Sequence, residues 1–172
     1  MNQSTRKNIA TNNWLLVPLS FLSAFILTLL PMPDWTAWLR PAWILMVVIY
    51  WIIVLPNRFG IATAWFAGIL LDVLNGTLLG EHALAMTVAA FLAVRMQIRF
   101  RMFPWIQQAF GILLMVFVYQ LILFCVQGFA GQPFVRWLYW LNPVTSMLLW
   151  PWVFNVLRHC QRRFGPLQLN PR

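Results

Sequence analysis

Long apolar segments alternate with short polar connections along the chain, and this alternation limits its fold more than any other feature. Only 9% of the 172 residues are charged, whereas a soluble domain usually carries about 25%. So few charged side chains could not cover a water-exposed globule, and an apolar helix of about 20 residues can cross a bilayer. The sequence therefore predicts an all-α polytopic membrane protein with six transmembrane helices, at approximately 14–32, 41–55, 60–79, 83–98, 105–126 and 137–157.

The second and fourth segments are shorter than a full membrane span. They must tilt, recruit flanking residues or lie where the bilayer is locally thin. By length alone, five spans or a re-entrant segment remain alternatives to six. We expect one integral membrane domain over residues 1–172.

The basic residues predict the orientation of these spans. With six spans and a cytoplasmic N-terminus, only Arg40 and Arg136 lie on the outer side. Cytoplasmic connections are enriched in Lys and Arg, so both termini are predicted to be cytoplasmic. The other ten of the 12 basic residues then lie on the cytoplasmic side: Arg6, Lys7, Arg58, Arg95, Arg99, Arg101, Arg158, Arg162, Arg163 and Arg172.

The net charge of +9 is distributed over these short connections and does not form a basic face on a soluble element. This placement argues against nucleic-acid binding. Motifs for nucleophilic catalysis, zinc binding or phosphate cradling are absent from the sequence. His82 and His159 are predicted at opposite membrane faces, so they cannot share a metal ion. We expect no enzymatic activity and no cofactor.

The stretch GILLDVLNGTLLGEHAL, residues 68–84, contains two of the three acidic residues of the chain. Small residues at four-residue spacing let helix backbones approach closely inside a bilayer. This face could serve packing within the chain's own bundle or contact with another membrane protein. Glu81 and His82 are expected in a short outer loop, where they need no burial. The face itself, if the segment stays helical, comprises Gly60, Ala64, Gly68, Asp72, Gly76 and Gly80.

Asp72 is predicted about 18 Å from the cytoplasmic end of an apolar core about 30 Å thick. A charge at this depth costs about 2.5–3.5 kcal/mol, so the side chain should face the bundle interior and find a partner. By depth, the candidate partners are His82, Arg40 and Arg136. Three roles remain open for the carboxylate: bonding the loosened backbone around 75–76, contributing to a partner or ligand site, and transferring protons.

Three stretches together resemble the MreD family of bacterial rod shape-determining membrane proteins, over nearly the whole chain. Their order and spacing carry the resemblance, because apolar segments taken singly resemble one another. The stretch at 68–84 matches the family's Gly-x-x-x-Asp pattern, followed by a small-residue turn and Leu-Gly. The other two are RPAWILMVVIYWIIVLPNRFGI at 40–61 and LLWPWVFNVLRHCQRRF at 148–164.

The resemblance implies a non-enzymatic scaffold of the cell-elongation machinery in the bacterial inner membrane. The implied partners are an MreC-type scaffold protein and, through the complex, the actin-like MreB filament and the peptidoglycan glycosyltransferase and transpeptidase. The family's fold is similar to that of the substrate-binding subunits of energy-coupling-factor transporters. Because that fold encloses a ligand, a small-molecule-binding or transport subunit is the alternative function.

Two groups of residues are the candidate functional positions. The basic group could contact the cytoplasmic side of partners or anionic lipids, although orientation alone also explains it. It comprises Arg58, Arg99 and Arg101. The structural or partner-contact group comprises Gly68, Asp72, Asn75, Gly76 and Gly80.

Overall fold

A computed structural model of the chain describes residues 3–31, 39–131 and 140–164. For residues 3–15, 101, 105 and 162–164 it describes only the backbone. All regular structure in these ranges is helical, which confirms the predicted all-α class. The helices are α1 Gln3–Leu29, α2 Trp43–Val54, α3 Ile61–Asn75, α4 Glu81–Met102, α5 Trp105–Phe129 and α6 Asn142–Phe164.

Helix α2 forms the core of the bundle. Its sequence, WILMVVIYWIIV, is apolar on every side, and every residue from Ile44 to Ile53 is buried. A helix with no polar face must be covered all round. Here α1, α3, α4 and α6 supply that cover. The short second segment is therefore enclosed by protein along its length.

The exterior of the bundle is also apolar. Soluble monomers rarely expose contiguous apolar patches larger than a few hundred Å². In this chain, large apolar side chains point outward from α1, α3, α5 and α6. Such a surface is typical of a protein that contacts lipid. Examples are Leu22, Phe66, Val73, Ile106, Phe110, Leu148 and Trp152.

Among the residues that the structure describes, two helices are long and apolar enough to cross a membrane: α4, over Glu81–Phe100, and α5, over Ile106–Phe129. Three further apolar helical stretches are shorter, at Leu16–Leu29, Trp43–Val54 and Ile61–Asn75. The six spans and their orientation therefore stay predictions of the sequence.

Polar side chains join the helices at defined points of the core. The Trp51 Nε1–H on α2 donates to Ser20 Oγ on α1 over 2.8 Å, and both residues are buried. The Tyr50 hydroxyl donates to Gln161 Oε1 on α6 over 2.8 Å. Polar groups shielded from water need such partners, so these bonds fix how α1 and α6 lie against α2.

Helix α3 ends at Asn75, four residues before the end of the predicted third span. Gly76 follows in the left-handed conformation, with φ of 65°, and its N–H donates to the Asp72 carbonyl. Glycine adopts this conformation without the steric cost that a Cβ brings, and it commonly ends helices in this way. Residues 76–80 then return the chain into α4, so that α3 and α4 form an antiparallel hairpin.

Candidate functional site

The Asp72 carboxylate lies between the last turn of α3 and the first turn of α4. Its Oδ1 accepts hydrogen bonds from the His82 N–H at 2.9 Å and the Thr77 hydroxyl at 3.1 Å. Its Oδ2 accepts from the Gly80 N–H at 2.9 Å and the Ala83 N–H at 3.4 Å. The side chain is fully buried.

This arrangement makes Asp72 a cap supplied by a neighbouring helix. The first N–H groups of any α-helix have no acceptor within the helix, and a negative charge near them interacts favourably with the helix dipole. Gly80 precedes α4 with φ of 100°, a conformation that favours glycine and aims its N–H at the carboxylate. The sequence hypothesis of a carboxylate that bonds the loosened backbone agrees with this geometry.

His82 completes the site. Its Nδ1 lies 2.8 Å from Asp72 Oδ1, and its side chain is 12% exposed. Of the three candidate partners of Asp72, His82 is therefore the one that contacts the carboxylate. Arg40 instead donates to backbone carbonyls at the end of α1. Arg136 lies outside the described residues.

Gly68 permits the close approach of the two helices. A Cβ added at this position would overlap Ala83 Cα and would lie 2.6 Å from Ala83 N. Ala64, Gly68 and Asp72 are all buried on α3. This part of the predicted small-residue face thus packs against α4 of the same chain, while Gly60, Gly76 and Gly80 lie outside α3.

The expectation that Glu81 and His82 lie exposed in an outer loop is wrong. Both belong to the first turn of α4, and Glu81 is only 2% exposed. Glu81 Oε1 accepts a hydrogen bond from Gln127 Nε2 on α5 over 2.6 Å. The helix dipole favours a glutamate in the first turn of a helix. In the sequence, an acidic residue directly after Gly80 was the signal that a helix starts there.

A cavity of about 230 Å³ adjoins the Asp72–His82 pair. It lies where α1 and α3 end and where α2, α4 and α6 begin. Sequence reasoning missed the contribution of α5, although Tyr-Gln inside the apolar run VFVYQLILF at 116–124 was a usable signal. The polar and aromatic lining comprises Thr28, Arg40, Trp43, Asn75, His82, Tyr119, Gln120 and Asn142.

The remaining candidate residues lie at the surface. Asn75 and Gly76 are exposed at the tip of the α3–α4 hairpin, and Asn75 also lines the cavity. Arg58 and Arg99 are exposed at the opposite end of the bundle. The structure does not describe the side chain of Arg101. Among the described residues, no three His, Cys, Asp or Glu side chains are grouped to hold a metal ion.

Comparison with known proteins identifies similar chains. The family model described as "rod shape-determining protein MreD" matches residues 8–160. The "Rod shape-determining protein MreD" of Haemophilus influenzae is 31% identical over 150 residues, which cover 87% of this chain and 93% of that protein. No solved structure gives a significant match.

Proposed function

The chain belongs to the MreD family of rod shape-determining proteins, and from this premise we propose that it is a non-enzymatic membrane scaffold of the rod-shape machinery. The family match over residues 8–160 is the observation that carries a role in rod-shape determination. The proposed mechanism is helix packing against partner proteins, which links peptidoglycan synthesis to the cytoskeleton.

The proposed location is the bacterial inner membrane, with six spans and both termini in the cytoplasm. The apolar exterior of the bundle supports a lipid environment. Arginines support the orientation, because those exposed at the α2–α3 turn and near the ends of α4 and α6 all lie at one end of the bundle. They are Arg58, Arg95, Arg99 and Arg158.

The α3–α4 hairpin is the proposed partner-contact element. Gly68 and Asp72 are buried against α4, so their proposed role is to hold the hairpin in shape. Asn75 and Gly76 are exposed at its tip, where they can touch another protein directly. We assign this tip to an MreC-type scaffold protein, through which the chain would join the wall-synthesising enzymes.

The opposite end of the bundle is the proposed cytoplasmic face. Arg58 and Arg99 are exposed there, and basic residues near a membrane surface attract anionic lipids by about 1 kcal/mol each. We propose that this face, together with Arg101, contacts anionic headgroups. Coupling to the MreB filament would then occur through the complex.

The experiment combines depletion with crosslinking in a rod-shaped host. Cells depleted of the protein should lose rod shape and regain it on expression of the wild-type chain. A photo-crosslinking amino acid at Asn75 should capture the MreC-type protein, whereas the same group at Phe66, exposed on the outer face of α3, should not. The proposal fails if depleted cells keep their shape or if both positions give the same crosslinks.

A further inference from the structure

Within the described part of the chain, two hydrogen-bond donors of cavity-lining residues have no acceptor. Arg40 uses its two terminal nitrogens on the carbonyls of Thr28 and Leu30, at 2.8 and 2.7 Å. Its Nε is shielded from solvent without a partner, and so is the indole nitrogen of Trp43. A buried donor left unsatisfied costs free energy, and a bound group could supply the acceptor that these two positions lack.

The charge of Arg40 is also unbalanced within the described residues. Asp72 is engaged by the start of α4, and Glu81 is bonded to Gln127. The basic side chain that contacts Asp72 is His82, with Nδ1 2.8 Å from Oδ1, and Arg40 takes no part in that contact. The Arg40 side chain is half-buried, and a guanidinium with an unused N–H favours an anion such as a phosphate.

The rest of the cavity suits a small polar group. His82 is oriented by Asp72 through Nδ1, which leaves its Nε2 outside that bond. The volume of about 230 Å³ exceeds the roughly 150 Å³ that holds benzene in an engineered cavity. The cavity lies among helix ends, in the outer half of the bundle in the membrane placement proposed above.

We propose that this cavity binds a phosphate group, whose oxygens accept hydrogen bonds from the Arg40 Nε–H and the Trp43 Nε1–H. The phosphate belongs either to a lipid headgroup or to a soluble phosphate compound, since both present the same oxygens. The inference rests on the proposed membrane placement but not on the scaffold role, so either can fail without the other.

The test is a titration of the purified full-length protein in neutral, phosphate-free detergent. The probes are inorganic phosphate and short-chain phosphatidylglycerol, with acetate at equal ionic strength as the comparison. Trp43→Phe keeps an aromatic ring but removes the N–H, so phosphate affinity should fall about tenfold or more. Trp152→Phe, at an exposed position on α6, is the matched control and should bind like the wild type.

Each outcome bears on the inference. Binding of both phosphate probes assigns the site to phosphate compounds generally, and binding of phosphatidylglycerol alone assigns it to a headgroup. Either result supports the proposal when Trp43→Phe weakens binding and Trp152→Phe does not. Absence of binding, equal affinity for acetate, or unchanged binding by Trp43→Phe overturns it. A retained melting temperature for Trp43→Phe separates lost binding from lost folding.

Discussion

The two ends of the bundle handle charge in opposite ways. At the hairpin end, the carboxylates of Asp72 and Glu81 are buried and bonded to named partners on α4 and α5. At the basic end, Arg58 and Arg99 are exposed, and among the described residues neither forms an ion pair. Burial is what separates the two regions.

The difference predicts where the chain tolerates substitution. A buried polar atom that loses its partner keeps the full cost of its desolvation, whereas an exposed charge is solvated in any case. Stability should therefore depend strongly on single residues at the hairpin end and weakly at the basic end. Four substitution experiments, in order of decreasing expected loss of stability, test this contrast.

Gly68→Leu should have the largest effect. The new side chain would overlap the backbone of Ala83, which cannot move without separating α3 from α4. Overpacking commonly costs about 1–3 kcal/mol, and a backbone clash should exceed this range and prevent folding. The measurement is the yield of monodisperse protein and its thermal unfolding in detergent. Gly128→Leu, where an added Cβ meets nothing within 4 Å, is the matched control and should fold normally.

Asp72→Ala should lower the free energy of unfolding by about 2–3 kcal/mol. The substitution removes a helix cap and leaves buried N–H groups without an acceptor. Asp72→Asn keeps one acceptor oxygen and should cost about half as much. Thermal or denaturant unfolding measures both. Asn57→Ala, exposed at the opposite end, should change little. If Asp72→Asn also supports wild-type rod shape, a proton-transferring role for the carboxylate is excluded.

Glu81→Ala and Gln127→Ala should each lower the free energy of unfolding by about 1–2 kcal/mol, since one leaves the half-buried Gln127 amide and the other the buried Glu81 carboxylate without this hydrogen bond. The double variant should cost less than the sum of the two, with a coupling of about 1 kcal/mol. A double-mutant cycle in denaturant measures it. Strict additivity would show that the bond between α4 and α5 contributes nothing to the hairpin end.

Arg99→Gln should have the smallest effect, within about 0.5 kcal/mol, because the side chain is exposed and solvated. The same unfolding measurement applies, with Asp72→Ala as the reference at the other end. A loss comparable to that of Asp72→Ala would remove the contrast between the two ends.

Much of the hairpin could be predicted from its residues. Because Asp72 lies deep in an apolar segment, its carboxylate was expected to face the bundle interior and to have a partner. His82 was among the three candidate partners. The small-residue spacing predicted close packing, which Gly68 shows against α4. The end of α3 was less predictable, because the four-residue spacing continues through Gly76 and Gly80 while the backbone turns at Gly76.

Other features depend on helices that are distant in sequence. The burial of Glu81 required knowing that Gln127, 46 residues away, lies across the start of α4. The cavity draws Arg40, Trp43 and Tyr119 from separate parts of the chain. Sequence pattern alone gave neither the enclosure of α2 nor the cavity, since both are properties of how helices surround one another.

The helical class, the apolar segments and the resemblance to the family could be read from the residues alone, and so could the predicted orientation. These follow from properties that are local along the chain: hydrophobicity, the placement of basic residues and short motifs. The tertiary structure alone decided that Asp72 caps a neighbouring helix, that Glu81 is buried, and that a polar cavity lies beside them. Those outcomes depend on hydrogen bonds and packing between helices, whose geometry exists only once the bundle has formed.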